Sequence, residues 1–285
     1  MIRALFLTSR PLSWVNTAFP FAAAYVVASG RVDATLVVGT LFFLIPYNLA
    51  MYGINDVFDY ESDVRNPRKG GVEGALLQPR WHRATLLASG ILAAPFVAYL
   101  VAVGGPASWL VLAISLFAVL AYSVKGLRFK ERPFLDSITS SIHFVSPAVY
   151  ALVLVGAQFT VGLIAVLAAY FLWGAASHAF GAVQDVVADR EAGIGSVATG
   201  IGARATVRLA IGLYLVAGVL LLFTGWPAAL AAVLALPYAL NAAPWWNVDD
   251  ESAPTANRGW RRFLWLNFVT GFLVTMLLVG YVLLR

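Results

Sequence analysis

Long apolar segments recur along almost the whole chain, and they constrain what it can fold into more than any other feature. The segments fall at roughly 12–29, 35–55, 84–103, 107–124, 136–156, 160–182, 206–224, 226–243 and 262–284. Each is about long enough to cross a bilayer whose hydrocarbon core is about 30 Å thick. Backbone N–H and C=O groups in lipid must pair within the protein, and segments this long and apolar do so as helices rather than as barrel strands. We therefore expect an all-α polytopic membrane protein, a single domain over residues 1–285 with about nine transmembrane helices.

The composition excludes several other classes of protein. Of the 285 residues, 61% are hydrophobic and only 12% are charged, which fits a protein surrounded by membrane lipid and not a large soluble core. The chain contains no cysteine, so it has no disulfide, no thiolate metal site and no catalytic thiol. Its net charge of +5 is compatible with nucleic-acid binding, but the arginines flank the apolar segments, where membrane topology explains them better. We expect no nucleic-acid partner.

Basic residues are concentrated at alternate ends of the apolar segments. Those at the N-terminus and in the even-numbered connections are Arg3, Arg10, Arg65, Arg68, Lys69, Arg80, Arg83, Lys125, Arg128, Lys130, Arg132, Arg190, Arg204, Arg208, Arg258, Arg261 and Arg262. The odd-numbered connections contain little beyond Arg31. Because cytoplasmic loops are enriched in lysine and arginine, we expect a plasma-membrane protein with its N-terminus and even-numbered connections in the cytoplasm. The long polar connections all lie on this side, so we expect the chemistry there.

Three aspartates follow the second apolar segment at helical spacing. If that segment continues as a helix, Asp56, Asp59 and Asp63 stand at i, i+3 and i+7, which puts their carboxylates on one face. Carboxylates this close repel each other, so a cation should lie among them, and an all-oxygen ligand set favours Mg²⁺ or a similar hard cation. Arg68 and Lys69, just downstream, suit an anion that shares this metal, such as a diphosphate.

The sixth apolar segment ends in a second acidic pair. Asp185 and Asp189 stand at i and i+4 on a helical face. The same face carries Gly181, His178 and Gly174 further back along the segment. Small residues at these positions leave room for either a ligand or a close helix.

The two acidic clusters are best explained together. A solvated helix end with Arg190 as partner would account for the second cluster alone, but both clusters lie on the same predicted side of the membrane. Carboxylates at a membrane edge usually face the interior of a helix bundle rather than lipid. We therefore expect one central cavity that opens to the cytoplasmic side, with metals at its mouth. Asn48 and Tyr52 lie on the face of Asp56 and would line this cavity.

At these positions the chain resembles a known family. The spacing Asn55-Asp56-x-x-Asp59-x-x-x-Asp63 resembles the first signature of the UbiA-type intramembrane prenyltransferases, and Asp185-x-x-x-Asp189 resembles the second. The segment Tyr122-Ser123-x-Lys125-x-x-Arg128-x-Lys130 is similar to the basic loop of that family. The resemblance covers nearly the whole chain. It departs at Ala182, where many members carry a further acidic residue, so we expect the second metal to have fewer protein ligands.

A narrower resemblance concerns four stretches of the chain. They are Ser9-Arg10-Pro11-x-Ser13-Trp14-Val15-Asn16-Thr17, Ile45-Pro46-Tyr47-Asn48-x-Ala50-Met51-Tyr52-Gly53, Asn66-Pro67-Arg68-Lys69-Gly70-Gly71-Val72-Glu73-Gly74 and Asn257-Arg258-x-Trp260-x-x-Phe263-Leu264-Trp265-Leu266-Asn267. They are similar to the lycopene elongase branch of the family in actinobacteria and haloarchaea. Members of that branch add C5 units to the ends of lycopene on the way to C50 carotenoids.

The resemblance implies a mechanism and a set of roles. Mg²⁺ would bridge the oxygens of dimethylallyl diphosphate to the aspartates, and lycopene would be the lipophilic acceptor. The implied catalytic residues are Asp56, Asp59, Asp185 and Asp189, which together with Asp63 are also the implied metal ligands. The implied diphosphate ligands are Asn55, Arg68, Lys69, Lys125, Arg128 and Lys130. The candidate cavity residues are Asn16, Asn48, Tyr52, Tyr122 and His178. Water could quench the final cation to give a hydroxylated end, and His178 is a candidate to hold a proton or orient that water.

Three alternatives remain at this point. The same chemistry could act on a quinone or chlorophyll precursor with a longer prenyl diphosphate. A divalent cation transporter would also use carboxylates, but it predicts them near mid-membrane and in matching halves of a repeat, whereas these lie at segment ends beside basic loops. A role as assembly partner of a carotenoid cyclase could exist in addition to catalysis, but it would leave the aspartates unexplained.

Overall fold

The computed structural model describes residues 1–64 and 76–283, and all regular structure in these residues is helical. The chain forms two compact units. The first unit comprises Met1–Phe129 and Ile142–Ala157, and the second comprises Lys130–Ser141 and Gln158–Arg285. The expected all-α class is confirmed, while the single domain over residues 1–285 stays a prediction.

Among the described residues, seven helices belong to the first unit and six to the second, while α8 contributes residues to both. The first unit contains α1 (Ile2–Thr8), α2 (Val15–Ser29), α3 (Ala34–Leu44), α4 (Pro46–Phe58), α5 (Tyr60–Asp63), α6 (His82–Val103) and α7 (Pro106–Ser123). The shared helix is α8 (Leu135–Leu154). The second unit contains α9 (Val161–Val183), α10 (Val186–Glu191), α11 (Val197–Ile201), α12 (Ala203–Leu221), α13 (Ala235–Ala242) and α14 (Asn257–Leu283).

Within the described residues, eight stretches are long and apolar enough to cross a membrane. They are Ala34–Phe58, Pro79–Val103, Pro106–Ser123, Leu135–Leu154, Val161–Val183, Ala203–Thr224, Ala228–Trp245 and Ala253–Leu283. The first expected span corresponds to α2, which has only 15 residues, about 22 Å of helix. It is shorter than the apolar segment because Pro11–Ser13 forms a separate 3₁₀ turn. The expected count of about nine is therefore approximate.

The second apolar segment, expected as a single span, is broken in its middle. Helix α3 ends at Leu44 and α4 begins at Pro46, because proline has no N–H to donate and its ring clashes with the preceding turn. Nδ2 of Asn48 donates to the carbonyl oxygens of Phe43 and Leu44 at 2.8 and 3.0 Å, and it lies 2.7 Å from Oγ1 of Thr17. Asn48 is fully buried, and with Oγ1 of Thr17, which donates to the Phe43 carbonyl at 2.6 Å, it supplies hydrogen-bond donors to carbonyl groups at the break.

Aromatic rings fill the core of the first unit. Phe21, Phe43, Tyr47 and Tyr150 are fully buried, and the ring centroid of Phe43 lies 5.3 Å from that of Phe21 and 5.2 Å from that of Tyr47. Gly39 permits the close approach of α3 to α2, because a Cβ at that position would lie 2.1 Å from the Phe21 ring. Tyr47 belongs to α4, so this aromatic layer packs the helix that carries the first acidic cluster.

The second unit is built on the packing of α9 against α12. The buried faces are rich in alanine, and Oγ of Ser177 lies 3.1 Å from the hydroxyl of Tyr214 between the two helices. At the end of α9, Nε2 of Gln184 donates to the carbonyl of Gly181, and Oε1 accepts from Nδ2 of Asn257 at 2.6 Å. The end of α9 is thereby joined to the start of α14, just before the second acidic cluster.

Candidate functional site

The first acidic cluster has the helical geometry that its spacing predicts. The N–H of Asp59 donates to the carbonyl of Asn55 at 2.9 Å, and the N–H of Asp63 donates to that of Asp59 at 2.8 Å, so the helical path continues from α4 into α5. The exposed fractions of Asp56, Asp59 and Asp63 are 2%, 5% and 7%. Three carboxylates this deeply buried would be strongly destabilising without cations nearby.

Two arginines supply positive charge to this cluster. Nη2 of Arg10 lies 2.9 Å from Oδ1 of Asp56, and Nη2 of Arg128 lies 3.6 Å from Oδ1 of Asp59. The Arg10 guanidinium also stacks over the ring of Tyr52, with its Cζ 4.3 Å from the ring centroid. Both arginines reach the carboxylates from polar segments that lie outside the candidate membrane spans.

Backbone strain accompanies these two contacts. Arg10 has a φ of 49° and Arg128 a φ of 40°, in the left-handed region that residues with a Cβ rarely adopt. Such conformations cost on the order of 1–3 kcal/mol each and cluster at functional sites. Two strained arginines on one acidic cluster therefore point to a function in the charge balance of that cluster.

The charge of Arg10 is secured by its partners. Burial has the largest single effect and lowers the pKa of its guanidinium, but the charge and hydrogen bond of Asp56 together with the charges of Tyr52 and Asp63 raise the pKa above its ordinary value. Sequence reasoning assigned Arg10 to membrane topology alone and missed this role. One feature of the sequence could have indicated this role. Arg10 lies immediately before Pro11, and Pro11 begins a short turn instead of a membrane-spanning helix.

The other predicted diphosphate ligands have different environments. Oδ1 of Asn55 accepts a hydrogen bond from Oγ of Ser123 at 3.0 Å. Lys125 is exposed in the turn after α7, and Lys130 is half-buried in the following 3₁₀ turn. Arg68 and Lys69 lie outside the described residues. The assignment of all these residues to diphosphate stays a prediction.

The predicted cavity residues of the first unit are all partly or fully buried. Asn16 and Tyr52 are half-buried, and Asn48 is the buried residue at the α3–α4 break. The half-buried ring of Tyr122 packs edge-on against His143, with the ring centroids 5.4 Å apart. Tyr52 contacts Arg10 of the acidic cluster.

The second acidic cluster is carried by the short helix α10. Asp185 stands at its N-cap position and Asp189 lies one turn later, with the N–H of Asp189 donating to the carbonyl of Asp185 at 2.8 Å. Both aspartates are half-buried. Fully buried Val186 anchors α10 in the core of the second unit.

Arg190 does not serve as the local partner that a solvated helix end would use. Its Nη1 donates to Oδ2 of Asp250, and Oδ1 of Asp250 accepts from the N–H of Ala203 at 2.7 Å. Asp250 therefore links α10 to the N-terminus of α12. The helix that follows Asp185 and carries Asp189 is therefore held by Val186 on its buried side and by the Arg190–Asp250 contact on its exposed side.

The small residues on the α9 face serve close helix packing. A Cβ on Gly174 would lie 2.5 Å from Oγ of Ser141 at the start of α8, and a Cβ on Gly181 would lie 2.9 Å from the ring of Trp260 on α14. The sequence left open whether these glycines make room for a ligand or for a close helix, and the structure supports a close helix at both positions.

A cavity in the second unit is not lined by the second acidic cluster. It has a volume of about 500 Å³ and opens beside the N-terminus of α12. Its charged lining residues are Arg204, Arg208, Asp249 and Asp250. Neither Asp185 nor Asp189 contributes to its wall.

The donor atoms of both clusters suit Mg²⁺. Carboxylate and amide oxygens are the ligands that this hard cation prefers. Within residues 1–64 and 76–283, no three carboxylate or imidazole side chains are already gathered into a metal-binding group. Arginine occupies the position beside Asp56, so a metal ion there would have to displace that contact.

Comparison with known proteins yields one family and several relatives. Residues 17–282 match the model of the UbiA prenyltransferase family. The C(50) beta-cyclic carotenoids biosynthesis protein LbtBC of Dietzia sp. (strain CQ4) is 57% identical over 284 residues, which are 99% of this chain but only 66% of that protein. A lycopene elongase/hydratase of Corynebacterium glutamicum is 52% identical over 279 residues, 98% of this chain and 97% of that protein.

Solved structures share the fold. A UbiA homolog from Archaeoglobus fulgidus bound to GPP and Mg²⁺ superimposes with a TM-score of 0.69 at 18% identity, covering 94% of this chain and 99% of that one. The same homolog bound to DMAPP and Mg²⁺ gives a TM-score of 0.68, covering 93% of this chain and 98% of that one. At this level of identity the comparison concerns the fold alone.

Proposed function

This chain belongs to the UbiA prenyltransferase family, and we propose that it transfers a C5 dimethylallyl group from dimethylallyl diphosphate to the ends of lycopene. The products would be C45 and C50 carotenoid precursors. Support for the acceptor comes from the names of the Dietzia and Corynebacterium relatives. The observation that carries the proposal is the buried cluster of Asp56, Asp59 and Asp63 with arginine contacts on two of its members.

Each acidic cluster has a separate part in this function. Asp56, Asp59 and Asp63 would hold Mg²⁺ in the first unit, and Asp185 and Asp189 would hold it in the second. When bound, Mg²⁺ would neutralise the charge that develops on the departing diphosphate. The carboxylates lie near helix ends, a position that suits a diphosphate head group at the membrane surface with the prenyl chain in the apolar interior.

The arginines would neutralise part of the negative charge of the first cluster in the absence of metal. If Asp56 held Mg²⁺ in place of this contact, the Arg10 guanidinium would be available to donate to diphosphate oxygens. A planar guanidinium can donate two parallel hydrogen bonds to a phosphate group, which an ammonium cannot do with the same geometry. Arg128 would act in the same way beside Asp59.

The remaining alternatives are weaker. A divalent cation transporter is inconsistent with membership of the UbiA prenyltransferase family. A quinone or chlorophyll-type acceptor would use the same acidic clusters, but neither of the two relatives is named for such an acceptor. The comparisons give no support to a carotenoid cyclase partner.

We also propose that both clusters face the cytoplasm, on the basis of the distribution of lysine and arginine.

A product assay in membranes tests the proposed reaction. Membranes that contain the protein are supplied with lycopene, dimethylallyl diphosphate and Mg²⁺, and the extract is separated by chromatography and analysed by mass. We expect C45 and C50 products that disappear when EDTA removes the metal. Parallel reactions with geranyl diphosphate and a quinone-type acceptor test the alternative, in which a longer prenyl group is transferred to a quinone. Product in those reactions but not with lycopene would contradict the proposed acceptor.

A further inference from the structure

A buried carboxylate in the second unit has no part in the proposed metal sites. Asp136 is the second residue of α8 and has no exposed surface. Its Oδ1 accepts from the N–H of Ser137 at 2.7 Å, and its Oδ2 accepts from the N–H of Val197 at 2.7 Å, where α11 begins. Two backbone donors hold the carboxylate in one orientation, and it points at the edge of a histidine ring.

That histidine is His178 of α9. Its Nδ1 lies 3.1 Å from Oγ of Ser137 and 4.0 Å from Oδ2 of Asp136. A carboxylate beside Nδ1 favours the tautomer that carries its proton on Nδ1 and stabilises the positive charge that follows protonation. Nε2 is then the basic nitrogen of the ring. The side chain is 21% exposed, whereas that of Asp136 is fully enclosed.

The other two histidines have different neighbours. Three histidines are present, and all lie in the described residues. Nε2 of His82 lies 2.9 Å from the carbonyl oxygen of Leu77, a local loop contact. His143 is buried in the first unit against the ring of Tyr122.

The distance of His178 from the second acidic cluster fits the size of the donor. His178 lies in α9, seven residues before Asp185, and α9 ends two residues before that aspartate, so the separation is about 10 Å at the helical rise. The diphosphate and the five-carbon chain of the donor together span a distance of this order, so a donor held at Asp185 and Asp189 would extend toward the apolar interior. A role for His178 near the donor rests on the proposed function.

The proposed reaction requires a proton acceptor after the C–C bond has formed. The less substituted carbon of the acceptor's terminal double bond attacks C1 of the donor, the C1–O bond breaks, and diphosphate leaves with the electron pair. The fully substituted carbon of the acceptor is then a tertiary cation. It is quenched either by water, which gives a tertiary alcohol and one proton, or by loss of a neighbouring proton, which gives an alkene.

We propose that His178 is the base that accepts the proton at Nε2 when water quenches this cation. Asp136 and Ser137 act as positioning residues, because they fix the ring and its tautomer without contacting the reacting atoms. The base receives one proton per C5 transfer and returns it to solvent. This assignment predicts that the ratio of alcohol to alkene depends on His178, although formation of the cation does not require it.

The test compares product ratios in single variants. His178→Gln keeps a polar side chain of similar size but has no basic nitrogen, so we expect the yield of tertiary alcohol to fall about 10²-fold. Release of diphosphate should fall much less, and alkene should become the main C45 and C50 product. Asp136→Asn should lower the alcohol yield about tenfold, since its effect acts through the ring. His82→Gln is the matched control and should behave as the wild type.

The outcomes separate this proposal from the proposed function. If His178→Gln retains the wild-type ratio of alcohol to alkene with labelled oxygen still incorporated from H₂¹⁸O, His178 is not the base. If Asp136→Asn does not fold, the His178→Gln result decides by itself. A wild-type protein that makes no product from lycopene contradicts the proposed acceptor, and the base assigned for its cation is withdrawn with it.

Discussion

At the scale of single residues, the first acidic cluster depends on its arginines. Asp56 and Asp59 are almost fully buried, and each has an arginine side chain within 4 Å. A buried carboxylate that loses its cation is strongly destabilising, whereas an exposed ion pair contributes little. The pair of Arg31 and Asp33, with both side chains at least one-third exposed, provides the comparison.

Arg10→Gln should therefore destabilise the protein in a way that Mg²⁺ partly reverses. Without metal the variant leaves Asp56 next to a neutral amide, and we expect a clearly lower melting temperature in detergent. Added Mg²⁺ supplies the missing positive charge, so its stabilising effect should be larger in the variant than in the wild type. Arg31→Gln should match the wild type with and without metal. Equal stabilisation of Arg10→Gln and wild type by Mg²⁺ would contradict a metal site at Asp56.

At the scale of elements, Asp250 connects two helices of the second unit. It accepts from the N-terminal N–H of α12 and from Arg190 on α10, the helix that carries Asp189. The hydrogen bond from the Ala203 N–H, assisted by Arg190, lowers the pKa of the Asp250 carboxyl despite partial burial. The charged form is thus the form that stabilises the folded protein.

Asp250→Asn should remove a stabilisation that depends on pH. Because the folded-state pKa is depressed, the contribution is fully present above the unfolded value of about 4 and is lost as pH falls through the folded value. We expect the melting temperature of the variant to lie below that of the wild type at pH 6–7 and the two to converge toward pH 3. Thermal unfolding of both proteins from pH 3 to 7 measures this. A difference that is constant over the whole range would refute the role of the charge.

Breaks within elements follow partly from the sequence. Pro46 explains the division of the second apolar segment into α3 and α4, and the proline is visible in the sequence. The short α2 is less evident, because the hydropathy of the first segment continues through the 3₁₀ turn at Pro11–Ser13. The stacking of the aspartates was predictable, since it requires only local helical spacing.

At the scale of the whole molecule, hydropathy predicts the architecture because membrane thickness sets the length of apolar helices. Long-range contacts are not encoded in such periodicity. Arg10 meets Asp56 across 46 positions, and Val197 meets Asp136 across 61. Both contacts depend on how helices pack within a unit. Consequently the acidic motifs were found from the sequence, whereas Arg10 and Asp136 were not assigned to a site.

The central claim is that each acidic cluster holds Mg²⁺ for the donor diphosphate, and it is tested most directly by Mg²⁺-dependent binding of dimethylallyl diphosphate to purified protein. Removing a residue that only hydrogen-bonds to a metal ligand lowers metal affinity about 10- to 100-fold. Removing a direct ligand should therefore lower the affinity at least as much. We predict that Asp56→Asn and Asp185→Asn each lose Mg²⁺-dependent binding. Asp33→Asn, which alters the N-cap of α3, should bind as the wild type does. Undiminished binding in both motif variants would contradict the account.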